Sequence, residues 1–282
     1  LWGKGAMLKI RWILILWIVA VAVFIGILLF HKNVQNRQQE AYADLQQRVT
    51  LEETEQAEYT LREGDAPVAL EGVTKESQEI DFAQLQNTNP ELIAWIRIPD
   101  TVIDYPVARH EGTDQSYYLH HNMYGETAFS GCIYMECVNA GDFSDYNTVL
   151  YGHNMKNGSM FAALHKYEDR TFLQQHPYIY IYLPGHCYRY EIFAAYTADD
   201  TNLNAAFDFQ DAESYASYVK NLEQNCSMDA VWRDDVEVTA DVKMITLSTC
   251  VGSQPGRRYL VQGIKTGDTE GNESNETVSD GR

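Results

Sequence analysis

Residues 243–264 read KMITLSTCVGSQPGRRYLVQGI. Two apolar, β-branched runs, KMITLST (243–249) and RYLVQGI (258–264), flank a short loop of Gly, Ser and Pro. Runs of this kind bounded by turn residues predict two strands joined at an exposed edge. Cys250 stands at the exit of the first strand, and Arg257 and Arg258 stand at the entry of the second. A purely structural cysteine more often sits inside such a run as a small buried apolar residue. A thiol at the rim, held by rigid strands beside a loop, is placed for chemistry.

Six more runs precede this pair: IAWIRI (93–98), TVIDYPV (101–107), SGCIYME (130–136), NTVLYGH (147–153), YIYIYL (178–183) and YRYEIFAAYTA (188–198). Eight short strands split by turns predict a mainly β fold, a closed barrel or a sandwich. Two helical insertions interrupt them. SMFAALHKYED follows NTVLYGH, and DAESYASYVKNLEQ (211–224) puts Tyr215, Tyr218, Val219 and Leu222 on one helical face. His153 ends its run as Cys250 does, after Gly152 and before the NMKNG loop.

Toward the N-terminus the pattern changes. Residues 12–30, WILILWIVAVAVFIGILLF, carry no charge. At about 1.5 Å per residue they match a hydrocarbon core of about 30 Å. A cleavable signal peptide has a shorter apolar core and a small-residue cleavage site, and HKNVQNRQQE offers none. The reading is a signal anchor, with Lys4, Lys9 and Arg11 favouring a cytoplasmic N-terminus. The expected organisation is a cytoplasmic segment (1–11), a transmembrane anchor (12–30), an extracellular stalk, linker and helix (31–80), a catalytic domain (81–265) and a disordered acidic tail (266–282).

The chain carries 21 basic and 40 acidic residues in 282, a formal charge of −19. Phosphate backbones are bound by clustered Lys and Arg, so nucleic acid is excluded as a partner class. Five cysteines (132, 137, 187, 226 and 250) form no CxxC pair, and Cys132 and Cys137 fall on opposite faces of one apparent strand, which argues against a bridge between them. His120 and His121 are adjacent, whereas zinc ligands on strands need even separation and a convergent third group, so no zinc site is expected. Cys250, His153 and Arg258 combine a thiol, an imidazole and a fixed guanidinium. That set suits acyl transfer through a thioester: a nucleophile, a proton donor for a leaving amine and a donor for an oxyanion. It requires no metal or cofactor. Spacing alone does not bring the three together.

TLSTC (246–250) followed by Arg258 and YLVQG (259–263) resembles the active-site signature of sortases, in the form typical of class B. LYGHNMKNGSMF (150–161) is similar to the class B histidine segment, and WIRIPDTVIDYPV (95–107) to the segment entering the sortase barrel. The resemblance spans about residues 85–265. It implies an eight-stranded barrel with N-terminal helices and an extra helix before the strand leading to the cysteine, the place of DAESYASYVKNLEQ. It implies Cys250 as nucleophile, His153 as general acid/base and Arg258 as oxyanion or substrate stabiliser, with Arg257 facing outward. Ser248, on the face of Cys250, and Thr249 are weaker candidates for substrate contact. The implied partners are surface proteins bearing a sorting signal, an amine of peptidoglycan or its lipid-linked precursor, and the membrane through the N-terminal helix. A pilin-polymerising sortase, a cysteine hydrolase and a non-catalytic wall-binding barrel are the competing readings. The cysteines of GCIYMECVNAGDFSDYNT (131–148) depart from the class B pattern and read as inert core thiols.

Overall fold

The computed structural model describes residues 4–51, 79–222, 230–252 and 254–270. It forms two compact units, Leu1–Asp44 and Leu45–Arg282. In the first, helix α1 (Lys4–Val49) begins and carries the uncharged run. Its mean hydropathy reaches 3.2, long and apolar enough to cross a membrane, and Trp17, Ile18 and Phe24 are exposed along it.

The second unit takes in the last turn of α1. Leu45 and Val49, four residues apart on one face, are fully buried. Strand β1 (Thr50–Leu51) then pairs antiparallel with β2 (Glu79–Ile80). Part of the segment expected to be stalk is therefore folded structure, because it offers an apolar stripe to bury. The predicted linker at 63–78 lies outside the described residues. Helix α2 (Phe82–Thr88) starts at Asp81, whose carboxylate accepts from the Gln84 N–H at 2.9 Å.

The remaining elements are β3 (Leu92–Arg97), β4 (Asp104–Arg109), β5 (Ile133–Met135) and β6 (Asn147–Tyr151). A 3-10 helix (Phe161–Glu168) and α3 (Arg170–Gln175) lead to β7 (Tyr178–Leu183) and β8 (His186–Asp199). Then come α4 (Leu203–Ala206), α5 (Ala212–Lys220), β9 (Val231–Trp232), β10 (Met244–Cys250) and β11 (Arg257–Glu270). The strand order β11-β10-β6-β5-β4-β3-β7-β8 closes through pairing of β8 with β11, an eight-stranded barrel. β9 adds to β8 outside that ring, a short strand that the sequence pattern does not predict. Tyr215, Tyr218 and Leu222 are buried against the barrel with Phe193, Phe209 and Leu260, as the helical spacing predicts.

Several boundaries differ from expectation. TVIDYPV enters its strand only at Asp104, because Thr101 turns the chain by donating to the Ile98 carbonyl at 2.8 Å. SGCIYME contracts to Ile133–Met135, since Gly131 sits at φ +59°, outside extended geometry. Cys132 and Cys137 flank this strand, and all four described cysteines are free thiols. The tail set at Thr266 begins too early. β11 continues to Glu270 because the long β8 gives it a partner as far as His186.

Several polar groups in the core are paired across strands. Asp104 accepts from Trp95 Nε1 at 2.6 Å and from Arg97 Nε at 3.0 Å. Gln262 donates to Thr246 Oγ1 at 2.9 Å and accepts from Tyr196 OH at 2.9 Å, tying β11 to β10 and β8. Such satisfied networks avoid the cost of a lone buried polar atom.

Candidate active site

Strand topology explains why three residues distant in sequence meet. β10 runs parallel to β6, and their last paired residues are Ser248 and Tyr151. Two residues further along stand Cys250, the last residue of β10, and His153, just past the end of β6, so both emerge at the same rim. Adjacent strands lie about 4.8 Å apart. β11 returns antiparallel from that rim and pairs Arg258 directly with Cys250. Arg258 Nη1 donates to Cys250 Sγ at 2.7 Å. Arg257 is exposed, as its position implies.

All three side chains line one groove of about 220 Å³. Its floor includes Tyr134, Glu136 and Tyr151, and one wall is the segment from Ala198 to Leu203. His153 is held from outside the triplet: its Nε2 lies 2.8 Å from the Leu119 carbonyl. Since a carbonyl only accepts, Nε2 carries a proton, and Nδ1 is the nitrogen left for proton transfer. Phe129, 74% exposed, stacks on the imidazole with centroids 6.0 Å apart. Burial pushes the His153 pKa below its ordinary 6.5, the Leu119 carbonyl pulls it up, and His120 and Arg258 push it down by charge.

Ser248 lines the groove beside Cys250, as strand alternation predicts. Thr249 does not line it. Its side chain is buried and its hydroxyl donates to the Gly152 carbonyl at 2.8 Å. That bond ties β10 to the residue before His153.

Leu119 and Gly131 escaped the sequence reading. A Cβ on Gly131 would stand 2.6 Å from the Tyr118 carbonyl oxygen and 2.7 Å from that of Leu119, so only glycine lets the chain bearing the Leu119 acceptor pack this closely. Glu136 was also missed. Its carboxylate accepts from Asn202 Nδ2 at 2.7 Å and Asn204 Nδ2 at 2.8 Å, clasping the groove wall to the barrel floor. A backbone carbonyl and a cross-loop amide leave no local pattern to read. His120 and His121 diverge: the former lies 6.5 Å from the His153 ring, while the latter stacks on Tyr117 at 3.8 Å. Among the described residues no three His, Cys, Asp or Glu side chains gather as metal ligands.

The fold and this rim define a class of closed β-barrels that present a thiol, an imidazole and a guanidinium to one groove. Residues 96–266 match the sortase domain family. A curated protein named Sortase B from Listeria monocytogenes is 39% identical over 171 residues, which is 60% of this chain and 67% of that relative. The solved structure of Clostridium perfringens sortase B aligns with a TM-score of 0.59 and 30% identity, over 66% of this chain and all of that one. A Staphylococcus aureus sortase B–substrate complex aligns with a TM-score of 0.58 and 26% identity, over 66% of this chain and 84% of that one. The chain belongs to the sortase family, is similar to sortase B, and is a transpeptidase of that family.

Proposed function

We propose that this chain is a membrane-anchored cysteine transpeptidase that cuts a C-terminal sorting signal of secreted proteins and passes the acyl group to a cell-wall amine. The observation that carries this reading is the contact of Arg258 with the Cys250 sulfur, at 2.7 Å, in the groove that His153 also lines.

The sulfur gives up its proton to His153 Nδ1 and attacks the scissile carbonyl carbon, forming a C–S bond and an oxyanion. Arg258 stabilises the thiolate before attack and the oxyanion after it. Collapse expels the amine, which takes the proton back from His153, and a thioester on Cys250 remains. An incoming amine then attacks the thioester, loses its proton to Nδ1 and releases the thiolate. Burial supports this proton traffic, because a pKa below the ordinary value keeps the resting imidazole neutral and makes the imidazolium a stronger acid toward the departing amine. Ser248 is proposed to contact the bound peptide from the strand below.

A sortase B relative with this fold has been solved as a substrate complex, which supports a peptide substrate for this groove. The apolar run of α1 is proposed as the anchor, with the N-terminus cytoplasmic and the barrel outside. Substrates that emerge at the same membrane would then meet the enzyme at raised effective concentration. The acceptor is proposed to be an amine of peptidoglycan or its lipid-linked precursor.

The test is a library of sorting-type peptides incubated with the full chain, with and without a primary amine. The expected result is cleavage, a ligated product that exceeds free acid when amine is present, and no turnover by Cys250→Ala. Free acid alone at saturating amine identifies a hydrolase. Absence of any cleavage by the unsubstituted chain refutes the enzymatic reading.

A further inference from the structure

The hydrogen-bond ladder between β6 and β10 stops short of the residues it must align. Its last backbone bond runs from the Gly152 N–H to the Ser248 carbonyl at 3.2 Å. Beyond it side chains continue the seam. Thr249 reaches the Gly152 carbonyl, and Asn154 Nδ2 donates to the Cys250 carbonyl at 2.9 Å. Asn154 adjoins His153, so this bond ties the backbone of one functional residue to the neighbour of another.

Asn154 is itself oriented. The same amide nitrogen lies 3.0 Å from His165 Nε2, and His165 Nδ1 lies 2.8 Å from Glu168 Oε1. The carboxylate accepts the Nδ1 proton, which leaves Nε2 of the neutral ring as an acceptor. Asn154 has two amide hydrogens, one for Nε2 and one for the Cys250 carbonyl. The chain of donors is complete: Glu168 takes from His165, His165 takes from Asn154, and Asn154 gives its second hydrogen to Cys250. His165 Nε2 is also 3.1 Å from the Cys250 carbonyl, so a ring protonated there donates to it directly. The imidazole is further fixed by stacking on Tyr259, with centroids 4.7 Å apart, and Tyr259 is the residue after Arg258.

We propose that Asn154, set by the His165–Glu168 pair, is a positioning residue that locks the backbone of Cys250 in register with His153. His165 and Glu168 act through it and touch no substrate. The inference rests on the proposed roles of Cys250 and His153, and it assigns a second histidine to the reaction. In distance terms, a shift of about 1 Å between reacting groups costs up to about 100-fold in rate.

The experiment compares the full chain with Asn154→Ala, His165→Ala, His165→Gln and Glu168→Gln. Three readouts are taken: kcat and KM on a cleaved sorting peptide, the melting temperature, and the pH profile of Cys250 alkylation by iodoacetamide, mapped by mass spectrometry. The expected result is a drop in kcat of about 10- to 100-fold for Asn154→Ala and His165→Ala with KM little changed. Both alkylation profiles move, and His165→Gln, which can still bond Asn154, regains most of the loss. If the unsubstituted chain cleaves no peptide, the proposed function fails, and the alkylation profiles still decide the positioning role. Wild-type kcat and an unmoved alkylation profile in Asn154→Ala and His165→Ala overturn the proposal. So does a loss that only tracks melting, or one that His165→Gln does not repair. If Asn154→Ala does not fold, the His165 and Glu168 variants carry the same decision.

Discussion

Gly131→Ala probes the link between backbone packing and the chemistry of His153. Gly131 has φ +59°, and a Cβ there meets the backbone oxygens of Tyr118 and Leu119 at 2.6 and 2.7 Å. Left-handed geometry costs a residue with a Cβ about 1–2 kcal/mol, and forcing a methyl group into filled space costs about 1–3 kcal/mol more. The expected destabilisation is thus about 2–5 kcal/mol, or about 4–20 °C in Tm for a unit of this size. Backbone oxygens cannot swing aside as a side chain would, so the strain moves the segment of Leu119, whose carbonyl holds His153 Nε2 at 2.8 Å. That bond raises the His153 pKa, so weakening it sends the pKa further down. Scanning calorimetry and NMR titration of the His153 ring read the two effects. Gly185→Ala is the control: its φ is +73° and nothing lies within 4 Å of the added Cβ, so only the conformational cost applies. If Gly131→Ala melts like its parent and leaves the His153 titration unmoved, the argument that glycine is required for this approach is wrong.

Replacing Arg258 by Gln removes a charged donor from the thiol; kcat/KM on a sorting peptide is expected to fall by about 10²–10³, with Lys intermediate because it lacks the planar fork. In the same variant the His153 pKa rises, since one of the charges that depress it is gone, and NMR titration checks the direction. Asp104→Ala leaves the buried Arg97 guanidinium without its carboxylate and is expected to cost about 3–5 kcal/mol in urea unfolding. Glu91 governs part of the acid limb. Burial works to raise its pKa, but bonds from Tyr118, His110 and the Glu111 N–H hold it below 4.5. A folded pKa below the unfolded value means that its stabilisation is present above about pH 4.5 and is lost as pH falls through the folded value. Glu91→Gln should flatten stability against pH in that window, and an unchanged acid limb counts against the assignment.

The sequence by itself carried the elements whose cause is local. Alternation and β-branching marked the eight barrel strands, helical spacing placed Tyr215, Tyr218 and Leu222 on one face, and nineteen uncharged residues marked the apolar helix. The strand-edge positions of Cys250, His153 and Arg258 were also local, and the motifs around them pointed to the family. What remained needed the closed sheet. Only the parallel pairing of β6 with β10 puts Cys250 and His153 at one rim, and only the antiparallel return of β11 sets Arg258 on the sulfur. The extension of β11 to Glu270 is likewise a gift of its partner strand, because a polar run becomes a strand when a long neighbour supplies its hydrogen bonds. Leu119, Gly131, Glu136, Asn154 and His165 act through backbone oxygens, close approach and cross-loop bonds. Those depend on distances between residues far apart in the chain, which no local pattern of side chains encodes.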